Sequence, residues 1–169
     1  MKEVKIVKAM PEDAEAIIAY TKQIGGETEN LTYGPEGIGI DVEQEKEFIR
    51  ARANSDRQAF FLAKYGEEVV GLADFSSVEH PRIGHRGSMG ISVRKDMWGK
   101  GVGSMFMEHI IDFAKNVAKV DIVALQVRSD NERAIHLYKK YGFEKFGTFK
   151  GYMKIRGEFV DFDFMNLYL

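Results

Sequence analysis

Two groups of residues in this sequence have types and spacings that could do chemistry. The first is the stretch from Trp98 to Ser104, where three glycines separate a strand pattern from a helix pattern. A glycine-rich turn that enters a helix exposes unpaired backbone N–H groups beside the positive end of the helix dipole, which suits phosphate. The glycines could instead make only a tight turn, and their spacing does not decide between the two interpretations.

The second group is the pair Asn131 and Tyr138, which stand seven residues apart. Two helical turns would place them on one face about 10 Å apart. An amide near a helix start can hydrogen-bond a ligand, and a phenol is protonated at neutral pH and can donate its proton. Asn131 could instead support only the helix cap, and Tyr138 could be a core residue.

The elements around these residues follow from hydrophobic periodicity. Residues 88–93 carry apolar side chains at every second position, which predicts a half-buried strand, and the apolar spacing after it predicts a helix from near Gly101 to Ala118. The apolar run 121–127 predicts an interior strand parallel to the first, in a right-handed strand–helix–strand unit. Ser129 and Glu132 match a capping box, which predicts the start of a helix that ends at Gly142.

The rest of the chain predicts further strands and helices in sequence order. A strand at 4–8 precedes a helix that starts at Pro11 and ends at Gly25–Gly26. The segment 25–40 has five glycines and little periodicity, so it is either a functional loop or a disordered insertion. The remaining predictions are a helix at 41–54, an antiparallel hairpin formed by 58–64 and 69–75, and two final strands at 143–154 and 159–169.

Two common nucleotide motifs do not fit the glycine stretch. A nucleoside-triphosphate loop needs a lysine directly after its last glycine, and here Lys100 precedes Gly101. The dinucleotide fingerprint would require a third glycine where Ser104 or Phe106 stands, and it opens a fully wound parallel sheet. The option that remains is a diphosphate held by backbone amides.

The two groups together resemble the GCN5-related N-acetyltransferase (GNAT) family. The resemblance rests on Trp98-Gly99-Lys100-Gly101-Val102-Gly103, followed about 30 residues later by Asn131, Ala134, Ile135, Leu137, Tyr138, Gly142 and Phe143. It covers residues 1–169 as a single domain. It implies the α/β acyl-CoA N-acyltransferase fold, a mixed, mostly antiparallel sheet of about seven strands with a splayed parallel pair and about four helices.

The resemblance also implies acetyl-CoA as the cofactor and a set of residues that bind it. Trp98 stands where Arg or Gln is commonest in the family, and it would cover the cofactor or simply pack. Gly90 fits a bulge that would free backbone donors, or a packing glycine. The implied cofactor-binding residues are Ile91, Val93, Trp98, Gly99, Lys100, Gly101, Val102, Gly103, Ser104, Asn131, Ala134 and Tyr138.

By the same resemblance, the enzyme transfers an acetyl group to a primary amine, with Tyr138 as the general acid. Some family members carry a catalytic glutamate where Gly87 stands, so the base must be another group. Glu79 is our candidate, and Asp74, His80 and His85 are nearby alternatives. A small-molecule amine is the favoured acceptor, with Asp74, Glu79 and the segment 25–40 as the places for cation selectivity. A protein N-terminus or lysine is the alternative, and a non-catalytic acyl-CoA sensor is the rival from another class.

Composition limits the partners and the location. The 169 residues carry a net charge of −2, contain no cysteine and are 44% hydrophobic, so disulfides and thiolate metal sites are excluded. The four histidines form no ligand cluster, and no basic stripe suggests nucleic-acid binding. No segment approaches the ~20 apolar residues of a membrane span. We therefore expect a cytoplasmic enzyme that binds neither membrane nor nucleic acid, and the aromatic-rich final strands suggest a homodimer.

Overall fold

The computed structural model describes residues 3–169 and places seven strands in one sheet. The strands are β1 (Val4–Lys8), β2 (Gln58–Tyr65), β3 (Glu68–Ser77), β4 (Arg86–Val93), β5 (Ile122–Arg128), β6 (Glu144–Ile155) and β7 (Glu158–Tyr168). The α-helices of the described chain are α1 (Ala14–Glu27), α2 (Val42–Ala53), α3 (Val102–Asp112) and α4 (Glu132–Lys140). Single 3₁₀ turns cover Pro11–Asp13 and Lys95–Met97, and a π-turn, Phe113–Val117, extends α3.

The sheet has the order β1-β2-β3-β4-β5-β7-β6. Every neighbouring pair is antiparallel except β4 and β5. Helix α3 makes the crossover between these two parallel strands. The predicted fold class, a mixed sheet of seven strands with one parallel pair and four helices, is confirmed.

The parallel pair opens into a gap. Strands β4 and β5 pair only between residues 86–88 and 122–124. The Arg94 N–H donates to the Val70 carbonyl at 2.9 Å, in the register that continues along β3 and β4. Because hydrogen-bonded pairs alternate along an antiparallel ladder, the backbone groups of Ile91 and Val93 point away from β3 and into the gap.

Gly90 does not form the predicted bulge. The β3–β4 register runs without interruption from Gly71↔Val93 to Ser77↔Gly87. A Cβ atom at Gly90 would lie 2.9 Å from Oδ1 of Asp74, its cross-strand partner. A side chain at this position would therefore displace the Asp74 carboxylate, which occupies the space above Gly90.

Two apolar cores lie on opposite faces of the sheet. On one face, α3 packs through Phe106 and Ile110, which are both fully buried, against alternate side chains of β2 to β5. On the other face, α1 and α2 pack through Ile17 and Ile49 against the remaining side chains of β2 and β3. Alternation along each strand thus divides the apolar residues between the two cores.

Two predicted helix boundaries differ from the structure. Helix α1 passes through Gly25 and Gly26 to Glu27, because Gly25 packs directly on the following loop. A Cβ atom there would lie 2.0 Å from the Gly34 carbonyl oxygen. Ser129 is not a helix cap, since its hydroxyl donates to Asp163 at 2.7 Å. The cap of α4 is Asn131.

Helix lengths also bear on the question of membranes. None of the helices in the described chain is long and apolar enough to cross a bilayer.

Candidate active site

The glycine stretch forms the entrance to α3 as a backbone anion site requires. Gly101 is the N-cap residue and adopts φ +81°, a left-handed conformation that favours glycine. No side chain in the described chain caps this helix end. The first N–H groups of α3, from Val102 to Ser104, therefore have no intrahelical acceptor and are available to a ligand.

Trp98 packs as a wall of this entrance. Its indole Nε1 donates to the Val93 carbonyl at 2.8 Å, and the Arg133 guanidinium lies 4.3 Å from the ring centroid. The Val93 carbonyl is therefore already bonded, which leaves the Val93 N–H and the backbone groups of Ile91 facing the gap. Lys100 differs from its neighbours because it lines no cavity and its Nζ lies 3.8 Å from the Met97 sulfur.

A cavity of about 760 Å³ extends from the glycine stretch to the gap between β4 and β5. We call it the glycine-loop cavity. Eleven of the twelve predicted cofactor residues line it, all except Lys100. Those eleven are Ile91, Val93, Trp98, Gly99, Gly101, Val102, Gly103, Ser104, Asn131, Ala134 and Tyr138.

A second cavity, of about 580 Å³, adjoins the first on the α1–α2 side of the sheet. We call it the Asp74 cavity. The loop between α1 and α2 forms one wall with Asn30, Leu31, Thr32, Tyr33, Ile38 and Ile40. The glycine-rich segment thus lines a cavity, and its functional role stays a prediction. The two cavities meet at the splayed strands, because they share eight lining residues: Asn30, Leu31, Ile91, Ser92, Arg128, Asn131, Ala134 and Tyr138.

Tyr138 lies at this meeting point. Only 7% of the residue is exposed, and its ring lies 5.9 Å from that of Phe143. Burial raises the pKa of Tyr138 to about 12. Its hydroxyl has no hydrogen-bond partner within residues 3–169. The phenol is therefore neutral at physiological pH, with its O–H group available to a ligand.

Asn131 has a structural role as well as a place in both cavities. Its Oδ1 accepts a hydrogen bond from the Ala134 N–H at 3.3 Å, which caps α4. The cap uses only the amide oxygen, so the amide N–H groups remain as donors towards the cavities. The structure is therefore compatible with a helix-cap role and with a ligand-binding role for Asn131.

Two carboxyl groups lie in the wall of the Asp74 cavity. Burial raises the pKa of Asp74 to about 6, opposed by the charge of Arg52. Glu45 is 1% exposed, and both of its carboxylate oxygens are buried without a hydrogen-bond partner in the described structure. Burial raises the pKa of Glu45 as well, again opposed by Arg52.

Arg52 lies behind this wall without a direct bond to either carboxylate. Its guanidinium stacks 3.3 Å from the centroid of the Phe48 ring, and its Nε is buried without an acceptor among the described residues. Sequence reasoning named Asp74 but missed Glu45. The available signal was its place on the inner face of α2, with Val42 and Ile49 at helical spacing.

The candidate base Glu79 is not brought to the site. Glu79, His80 and His85 are exposed on the connection between β3 and β4, and none of them lines either cavity. No side chain could replace Gly87, because a Cβ atom there would lie 2.3 Å from the Phe75 ring. Asp74 alone, of the four alternatives named from the sequence, faces a cavity. No cluster of potential metal ligands occurs among the described residues.

Several curated relatives of this chain are named as acetyltransferases. The chain is 40% identical over 98 residues to the L-amino acid N-acetyltransferase AaaT of Escherichia coli, a match that covers 58% of this chain and 60% of that protein. It is 30% identical over 120 residues to the N-alpha-acetyltransferase RimI of Mycobacterium tuberculosis, covering 71% and 73% of the two chains. The chain thus spans about three fifths of the first relative's length.

Solved structures share the whole architecture. A GNAT-family acetyltransferase from Streptococcus pneumoniae superposes with a TM-score of 0.94 at 28% identity, over 99% of this chain and 100% of the other. The fold also matches yncA from Salmonella typhimurium, solved with its cofactor acetyl-CoA, with a TM-score of 0.83 at 20% identity over 98% and 94% of the chains. The sequence profile of the Acetyltransferase (GNAT) family matches residues 28–143. The chain therefore belongs to the GNAT family of acetyl-CoA-dependent acetyltransferases.

Proposed function

We propose that this enzyme acetylates the primary amine of a small molecule, which binds in the Asp74 cavity, and that Tyr138 is the general acid. The observation that carries the proposal is the position of Tyr138, which lines both cavities where they meet. A group at this junction can reach a donor in one cavity and an acceptor in the other. Its neutral phenol is in the protonation state that a general acid needs.

The glycine-loop cavity suits acetyl-CoA. Its free N–H groups at the start of α3 would hold the diphosphate, and the Ile91 backbone and the Asn131 amide would hold the pantetheine arm. Acetyl-CoA supplies the acetyl group as a thioester, whose carbonyl carbon is open to attack by an amine. Ile91 and Asn131 position the acetyl group by the gap, and Tyr138 holds the proton that the sulfur takes up.

The acceptor cavity supports a small molecule because the loop between α1 and α2 closes it from one side. The Arg128 Nη1 donates to the Glu29 carbonyl at 3.1 Å, and Arg156 forms an ion pair with the Glu29 carboxylate. These contacts tie the loop to β5 and to the β6–β7 hairpin. A loop that these contacts hold in place leaves room for a compact ligand. A protein N-terminus is the second candidate, because the M. tuberculosis relative is named an N-alpha-acetyltransferase.

The proposal is tested by release of the CoA thiol with acetyl-CoA and a panel of acceptors. The panel contains small primary amines, amino acids and a short peptide with a free N-terminus. We expect turnover with at least one small molecule. Turnover with the peptide alone would move the function to protein acetylation. Tight acetyl-CoA binding without turnover of any acceptor would favour the sensor.

Three further expectations remain proposals. We take residues 1–169 as one domain, located in the cytoplasm, and we propose a homodimer through β6 and β7. These strands expose Phe146, Phe149 and Phe159, the last with 72% of its surface accessible, whereas Phe162 belongs to the core. Sedimentation equilibrium would detect the dimer, and a monomer at high concentration would contradict it.

A further inference from the structure

The Asp74 cavity carries information about its ligand beyond the presence of an amine. Its walls are mainly aliphatic and aromatic, and they come from the helices α1 and α2, the loop between them and several strands. The apolar side chains include Ile17, Leu31, Tyr33, Phe48, Phe60, Leu72 and Phe162. Walls of this kind bind a ligand whose body is apolar.

Among the described residues, two acidic side chains and one basic side chain line the cavity. Asp74 and Glu45 lie in its wall, and Arg128 is the only basic residue among the described residues that line it. Arg128 is already engaged, because its Nε and Nη2 donate to the Asp130 carboxylate at 2.6 and 3.1 Å. Its Nη1 donates to the Glu29 carbonyl. A ligand carboxylate would therefore meet two like charges and no uncommitted cation.

Glu45 is the independent sign of a cationic ligand. A buried carboxylate without a hydrogen bond is costly, and the cost is removed either by protonation, towards which burial shifts the pKa of Glu45, or by a nearby positive charge. Arg52 supplies one positive charge behind the wall to two carboxylates, so the set retains one negative charge when both are ionised. One bound ammonium group would balance it. Because the Glu45 oxygens are shielded, Glu45 acts through its charge and is a positioning residue.

Asp74 is placed to take a proton from that ammonium. Its carboxylate lies above Gly90 of β4, directly before Ile91, whose backbone faces the gap. No side chain within residues 3–169 hydrogen-bonds to it, so the carboxylate can accept a hydrogen bond from a ligand. The carboxylate therefore stands beside the place where an acetyl group held by Ile91 would be attacked.

We propose that the acceptor is a primary amine with an apolar body and no carboxylate, that Asp74 accepts its proton, and that Glu45 favours its positive charge. The inference rests on the proposed function and specifies the ligand of the same site. The ammonium gives one proton to Asp74, which passes it to solvent. The nitrogen then bonds to the acetyl carbon as the carbon–sulfur bond breaks. The sulfur takes the Tyr138 proton, and a second proton from the nitrogen restores Tyr138.

The test uses three ligands with one body: phenethylamine, L-phenylalaninamide and L-phenylalanine. L-Phenylalaninamide has nearly the bulk of L-phenylalanine but lacks its negative carboxylate. It therefore separates the effect of the carboxylate charge from the effect of ligand size. We measure kcat/KM by CoA thiol release and affinity for the CoA-bound enzyme by calorimetry. We expect phenethylamine and the amide to exceed phenylalanine by at least about tenfold in kcat/KM and in affinity, the effect of roughly one charge–charge contact.

Equal or better use of phenylalanine would overturn the inference and leave the proposed function intact. Binding and turnover of only the short peptide of the acceptor panel would overturn both the inference and the proposed function. The variant Glu45→Gln should reduce the preference for the amide over phenylalanine about tenfold. Glu47→Gln is the matched control, because Glu47 lies on the same helix with a side chain 75% exposed. A folded Glu45→Gln enzyme with unchanged preference would exclude the role of Glu45.

Discussion

Replacing Asp74 by asparagine should stabilise the protein while it impairs catalysis. The substitution keeps the size of the side chain and removes its charge. Burial raises the pKa of Asp74 from 3.8 to about 6, so the folded state binds its proton more tightly than the unfolded state. The ionised carboxylate therefore costs stability, and this cost is present above pH 6 and absent below the unfolded pKa.

The two pKa values of Asp74 set the size of this effect. Their separation of about 2 pH units corresponds to at most ~3 kcal/mol of unfolding free energy above pH 6. Roughly half of this stability cost, about 1.4 kcal/mol, is added as the pH rises from 5 to 8. The charged or titratable groups around Asp74 on neighbouring elements are Arg52 and Glu45 on α2 and Tyr33 on the loop. Arg52 offsets part of the cost, and burial raises the pKa of Tyr33 to about 12, so neither of these two titrates in this range. Burial also raises the pKa of Glu45, which is present in both the wild type and the variant.

Urea unfolding at pH 5 and pH 8 measures the prediction directly. We expect Asp74→Asn to be more stable than the wild type at both values, with an advantage that grows by about 1.4 kcal/mol at the higher pH. Glu47→Gln should show no such growth. At pH 8 the variant should also lose most of its kcat/KM. An advantage that stays constant or shrinks with pH would refute the assignment of a buried, ionised Asp74.

Two further substitutions test the other parts of the site. Tyr138→Phe should lower kcat at least ~100-fold while calorimetry shows unchanged acetyl-CoA affinity, because only the proton donor is lost. Unchanged turnover would remove the assigned role. Gly25→Ala should displace the loop between α1 and α2, since its Cβ would lie 2.0 Å from the Gly34 oxygen, and so raise KM for the amine more than KM for acetyl-CoA. An equal effect on both constants would contradict the loop's role as an acceptor wall.

Much of the fold was predictable because its signals are local. Alternation in β4 and helical spacing after Gly101 predicted the crossover, whereas the gap beside it was implied by the family resemblance. The N-cap residue of α4 was not predictable in this way, because Ser129 and Asn131 both satisfy local capping rules. The choice falls to Asn131 since Asp163, on β7, takes the Ser129 hydroxyl. A residue 34 positions away thus decided a local question.

The candidate base Glu79 lies outside both cavities for a related reason. Glu79 and Asp74 are five positions apart in sequence, and both precede the strand that faces the gap. Only the antiparallel register of β3 and β4 sets Asp74 opposite Gly90 and leaves Glu79 on the exposed connection. Gly90 itself was ambiguous, because a bulge and a close cross-strand contact both favour glycine.

The two cavities therefore differ in how they are encoded. The glycine-loop cavity is built mainly of backbone, from a contiguous stretch and a helix start, so a short motif specifies it. The Asp74 cavity depends on Gly25, Gly90 and Glu45, each of which departs from a local preference in favour of a contact distant in sequence. A relative can keep the first arrangement while it changes the second. The donor thus follows from the family, whereas the acceptor must be inferred from the charges and walls of this chain's own cavity.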